Sequence, residues 1–95
     1  MINYMYNLKT TSKFKTSFKK HKSNKSFKRD AFELVVLKLL NGEKLESNHK
    51  DHSLSGNINS FRECHISPDI LLIYRIKENE LTLLLINLGS HSALF

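Results

Sequence analysis

The chain has 95 residues, room for one domain and one core that buries roughly 60–65% of the unfolded surface. A hydrophobic fraction of 40% excludes a disordered chain, and the lone Cys64 excludes an internal disulfide. The net charge is +6, and nine of the 15 Lys and Arg lie in residues 1–29, which hold no Asp or Glu. That basic end is a footprint suited to a polyanion, with RNA, DNA and an anionic membrane surface all open. The plainer alternative is a Lys-rich face that serves solubility. The longest apolar run, Leu81 to Leu88, is too short to span a bilayer and is interrupted by Thr82 and Asn87. The first residues alternate and do not form an apolar signal region, so a cytosolic protein without membrane attachment is expected.

Ile2, Tyr4, Tyr6 and Leu8 recur with period two, which predicts a half-buried first strand. Thr10, Thr11 and Ser12 are N-cap residues, and Phe14 and Phe18 fall four apart with His21 three further on. The spacing predicts an amphipathic helix from Ser12 to about Asn24, ringed by Lys13, Lys15, Lys19, Lys20 and Lys22, with His21 as a surface group. Ser23 to Ser26 is a polar break. From Phe27 to Leu40, a stripe of Phe32, Val35, Val36, Leu39 and Leu40 predicts a second helix. Ala31, Leu34 and Leu37 widen the stripe, so burial on more than one side is expected. Asn41-Gly42 ends it. A short link makes the two helices an antiparallel hairpin.

Glu43 to Ser60 lacks periodicity and reads as one long loop carrying His49, Asp51 and His52. Three strands follow: Phe61 to Ile66, stopped by Ser67-Pro68; Ile70 to Ile76; and, after the connection Lys77 to Glu80, Leu81 to Leu88. Gly89-Ser90 ends the last. Strand, helix, helix and a three-stranded meander make an α+β fold, a helical hairpin on one mostly antiparallel sheet, in a single domain over residues 1–95.

His52, His65 and His91 stand where apolar runs meet loops, and Asp69 follows His65 across Ser67-Pro68. A meander can gather such positions at one end of a sheet. Histidine suits proton transfer near neutral pH, and Arg62 and Arg75 are the nearest cations. RNA cleavage needs no more than this, since the attacking 2′-hydroxyl belongs to the substrate. Plainer roles stand beside each residue: His52 capping loop backbone, His65 half-buried on a strand, Asp69 shaping a turn. A metal site built on His49-x-x-His52 with Asp51, His65, Asp69 and His91 is a further reading, but CxxC and HExxH motifs are missing. Alternation turns Cys64 to the face opposite His65, against a role as nucleophile. No cofactor is called for. Spacing alone leaves ribonuclease and plainer readings open.

Four blocks carry a resemblance: Lys50-Asp51-His52-Ser53-Leu54-Ser55-Gly56, Arg62-Glu63-Cys64-His65-Ile66-Ser67-Pro68-Asp69, Leu71-Leu72-Ile73-Tyr74 and Leu88-Gly89-Ser90-His91-Ser92-Ala93-Leu94-Phe95. Together, over residues 4 to 95, they resemble the YafQ branch of the RelE-type toxins, the toxin halves of bacterial toxin–antitoxin pairs. The resemblance implies an mRNA interferase that cuts messages in the ribosomal A site. It also implies a cognate antitoxin, with operator DNA bound only through the toxin–antitoxin complex. By position, His52, His65, Asp69 and His91 fall on the family's proton-transfer and positioning residues, with His91 as general acid. His52, His65 and Asp69 remain alternatives for serving the 2′-hydroxyl. Phe95 falls on a terminal aromatic that helps hold substrate, and Lys13, Lys19 and Lys20 would meet ribosomal RNA. Two departures stand out. Asn87 occupies the place of the family's usual Arg, removing the expected stabiliser of the phosphorane, and Ile70 stands where some members have Trp. The first admits an alternative: a protein of this fold that binds RNA and antitoxin but cleaves weakly or not at all.

Overall fold

The computed structural model describes residues 4–25, 27–54 and 61–95. Strands β1 (Asn7–Thr10), β2 (His52–Ser53), β3 (Phe61–Ser67), β4 (Ile70–Lys77) and β5 (Thr82–Gly89) form one sheet in the order β1-β5-β4-β3-β2. β1 runs parallel to β5 and every other pairing is antiparallel. Helices α1 (Ser12–His21) and α2 (Arg29–Leu40) cover one face, and the single-turn α3 (His91–Leu94) follows β5. Among the described residues no helix is long and apolar enough to cross a membrane.

The Thr11 hydroxyl oxygen starts α1 by accepting the Phe14 N–H at 3.0 Å. The same hydroxyl donates to the Ile86 carbonyl at 2.7 Å, so the cap also ties α1 to β5. Phe14 stacks on Phe32, Phe18 packs tilted against Phe32 at 5.3 Å, and Phe18 meets Phe27 edge-on at 5.9 Å. This cluster joins the two helices, as the hairpin expectation requires. α1 ends at His21, three residues short of the expected Asn24.

In α2 the stripe Phe32, Val35, Val36, Leu39 and Leu40 is buried. The expected widening fails, for Leu34 and Leu37 are 55% and 42% exposed. α2 has the sheet on one side only, so its outer flank meets water. Gly42 ends the helix at φ +72°, and a Cβ there would sit 2.7 Å from Met5 Sδ. Both reasons require glycine.

The first strand is displaced from its expected place. Tyr6 is buried, but its N–H bonds to the Leu40 carbonyl at 3.1 Å, so the ladder starts only at Asn7 and Leu8 is left half exposed. Ile2 and Asn3 lie outside the described residues. The loop from Glu43 also proves to contain structure: a 3-10 turn over Ser47–His49, then β2 on the sheet edge.

Cross-strand partners project to the same face of a sheet. Cys64, Leu72 and Leu88 share one row, and Arg62, Tyr74 and Leu85 the next. Both rows face the helices, where Cys64, Leu72, Tyr74, Leu85 and Leu88 enter the core. The opposite face carries the rows Phe61–Arg75–Leu84, His52–Glu63–Ile73–Asn87 and His65–Leu71–Gly89. A bulge at Ile86 keeps Leu85 and Leu88 both inward and sends Asn87 to the opposite face.

Candidate active site

The central row of that opposite face runs from His52 through Glu63 and Ile73 to Asn87. His52 Nε2 lies 3.6 Å from Glu63 Oε1. Its Nδ1 lies 2.6 Å from the Lys50 carbonyl oxygen. A carbonyl only accepts, so Nδ1 carries the proton and Nε2 is left toward the carboxylate. Lys50 has φ 48°, a left-handed conformation that turns its carbonyl onto the ring. Glu63 is 6% exposed, a nearly buried carboxylate beside an exposed imidazole.

His65 stands two residues beyond Glu63 and hence on the same face. Its carbonyl accepts the His49 Nδ1–H at 2.7 Å, which fixes the Ser47–His49 turn against β3. Across the row lies Gly89, where an added Cβ would meet Leu94 Cδ2 at 3.4 Å. α3 therefore folds back over this face of β5. Ser90 caps it by accepting the Ala93 N–H at 3.3 Å. His91 and Phe95 are both exposed, with ring centroids 5.2 Å apart.

Asn87 Oδ1 accepts the Ser17 hydroxyl at 2.7 Å and the Leu88 N–H at 2.9 Å. The residue that departs from the family pattern thus holds α1 against β5. Helical geometry puts Lys13 and Lys20 on the side of α1 that carries Ser17, four residues before it and three after, while Lys19 points away. Arg75 lies on β4 two residues past Ile73, on the same face as Asn87. Its Nε is buried without a hydrogen-bond partner.

Not every expected residue gathers here. Arg62 lies on the helix-facing side, where Nη2 meets Asp51 Oδ2 at 2.9 Å and Nη1 donates to Ser53 Oγ at 2.9 Å. Asp69 is exposed in the turn joining β3 to β4, beyond a bulge between His65 and Ser67. Cys64 is fully buried and burial pushes its thiol up to about 12, which keeps it protonated. Glu63 was absent from the expected set. Its signal was available, since alternation from His65 puts Glu63 on the same face. Among the described residues, no group of three His, Cys, Asp or Glu side chains converges in the manner of a metal site.

One sheet face thus bears His52, Glu63, His65 and Arg75, with His91 and Phe95 on the short helix that overhangs it. The crystal structure of a metal-bound toxin from Helicobacter pylori superposes with a TM-score of 0.89 at 43% identity, over 96% of this chain and 100% of that one. The YafQ chain of the Escherichia coli DinJ–YafQ complex superposes at 0.84 with 24% identity, over 95% and 98%. The mRNA interferase toxin YafQ of Escherichia coli K12 is 33% identical over 81 residues, covering 85% of this chain and 82% of that protein. The family of bacterial toxins of type II toxin–antitoxin systems, YafQ, matches residues 6–95, and the chain belongs to it.

Proposed function

We propose that the protein is an endoribonuclease toxin that cleaves mRNA on the ribosome by acid–base catalysis and is held in check by a cognate antitoxin. What carries this reading is the placement of His52, Glu63 and His65 on one sheet face, with His91 and Phe95 on the helix that overhangs it. The related toxin's name as an mRNA interferase, and the solved complex of YafQ with DinJ, support the activity and the partner.

His52 takes the proton of the 2′-hydroxyl at Nε2, the nitrogen left open by the Nδ1 bond to Lys50. Glu63 steadies the imidazolium that results. The 2′-oxygen attacks the adjacent phosphorus, and His91 protonates the departing 5′-oxygen. His65 supports the phosphate between them. Arg75 answers the charge on the phosphorane, the role that Asn87 cannot fill. Phe95 stacks on a base, and Lys13 and Lys20 hold backbone phosphates beside β5. Asp69, on the rim, orients the substrate strand.

Expression in a bacterial host, with message 5′-ends mapped, tests this. New cuts and growth arrest are expected, both lost in His91→Ala; full toxicity in that variant would sink the role of His91. The second reading, binding without efficient cleavage, rests on Asn87, whose oxygen is committed to Ser17. Ribosome association without new 5′-ends would establish it.

A further inference from the structure

Asp51 is bonded through both of its carboxylate oxygens to residues on the helix-facing side of the sheet. One carboxylate oxygen accepts the Tyr74 hydroxyl. The other accepts Arg62 Nη2 at 2.9 Å. Arg62 also donates from Nε to the Tyr74 oxygen at 3.3 Å and from Nη1 to Ser53 Oγ at 2.9 Å. The ring closes on Tyr74, which is 1% exposed and belongs to the core. Burial and the bond to Asp51 hold the phenol well above its ordinary range, so it is a permanent donor.

His52 needs such an anchor. Its strand has only two residues, paired to β3 at Glu63 and Arg62, on the open edge of the sheet. Its ring is set by the carbonyl of Lys50, a residue held left-handed despite its Cβ. Strain of that kind persists only where neighbours over-determine the backbone. Asp51 sits between Lys50 and His52, fastened to β3 and β4 from the opposite face. We infer that Asp51, Arg62 and Tyr74 form a latch whose function is to position His52, fixing its tautomer and its place beside Glu63. The latch deepens the reading of His52 as the base and rests on it. It also gives Arg62 its role: a positioning residue acting from behind the sheet, away from RNA.

The test is a double-mutant cycle with message presented on purified ribosomes, supported by nitrogen NMR of the His52 ring. Tyr74→Phe and Asp51→Asn should each lower kcat about tenfold with KM within about twofold, and the His52 ring should show a second tautomer. In a His52→Ala background the same changes should cost nothing further. Equal losses in both backgrounds would make the cluster a structural brace and overturn the latch. An unchanged His52 ring in folded Tyr74→Phe protein would do so as well. Full cleavage by His52→Ala alone would overturn the latch together with the assignment of His52 as base, a failure distinct from either of these.

Discussion

Two imidazoles, held very differently, divide the proposed chemistry. His52 is gripped at Nδ1 by a backbone carbonyl with Nε2 open 3.6 Å from the Glu63 carboxylate, whereas His91 is exposed on a single helical turn with Phe95 as its neighbour. The proposed base is thus fixed by its neighbours, while the proposed acid stands exposed. His91→Ala should therefore lower cleavage by about 10²–10⁴, with the melting temperature unchanged, as measured by single-turnover cleavage and thermal denaturation. Arg75→Ala should cost about 10² or more in kcat, the scale of one lost charge stabiliser. If it costs nothing, the phosphorane has no cation on this face and the weak-enzyme reading gains. Asn87→Arg would supply charge but cannot accept the Ser17 hydroxyl, so its gain should be small and accompanied by loosening of α1. At this scale the sequence told residue types but not phases. The histidines were legible because few side chains titrate near neutrality. Alternation along one strand already set Glu63 with His65 and Arg62 on the other side; which of the two faces meets the helices is settled only by the tertiary packing.

α1 and α3 bracket the site, and each offers a test that the rest of the fold should tolerate. A Cβ at Gly89 would find Leu94 at ordinary contact distance, but the branched side chain of valine would reach into α3. Gly89→Val should displace α3, reduce cleavage as His91 moves, and leave the far-ultraviolet circular dichroism close to that of the parent. On α1, Lys13 and Lys20 flank Ser17 while Lys19 points away. Replacing Lys13 and Lys20 with Ala should flatten the salt dependence of ribosome binding by about 1.4–1.8 in log–log slope, and replacing Lys19 should leave it unchanged. An equal effect from all three would return them to general solubility. The long elements were readable because their periodicities repeat: the α2 stripe and the apolar runs of β4 and β5 each span two or more turns or pairs. β2 was not readable, since two residues carry no period and pairing with β3 defines them. The burial of Leu34 and Leu37 was misjudged because periodicity tells how wide an apolar stripe is, and not how many neighbours the fold supplies.

Seen whole, the molecule places α1, α2 and the core on one side of a mixed sheet and α3 with the proposed chemistry on the other, so residues alternating along β3 face the core and the proposed site by turns. Cys64 belongs to the first set and shares its strand with Glu63 and His65. Its thiol rises in the fold from an ordinary 9.0 to about 12 because it is buried. Below pH 9 both folded and unfolded states hold the proton, and the contribution is fully present. As pH climbs from about 9 toward 12 the unfolded chain alone ionises and stability falls, by roughly 4 kcal/mol over that window at most. Tyr74, shifted the same way, adds to the loss at its upper end. Denaturation midpoints measured against pH should thus drop above pH 9, and less steeply in Cys64→Ala.

The same thiol has a use as a clock. A reagent that modifies thiolates can reach Cys64 only when β3 parts from the helices, so the labelling rate reports the opening free energy of the strand that bears the site. An antitoxin or ribosome that grips the folded toxin must slow that clock by the factor by which it stabilises the closed form. One buried sulfur, inert in the reaction, would in this way measure from within how tightly each partner holds the enzyme.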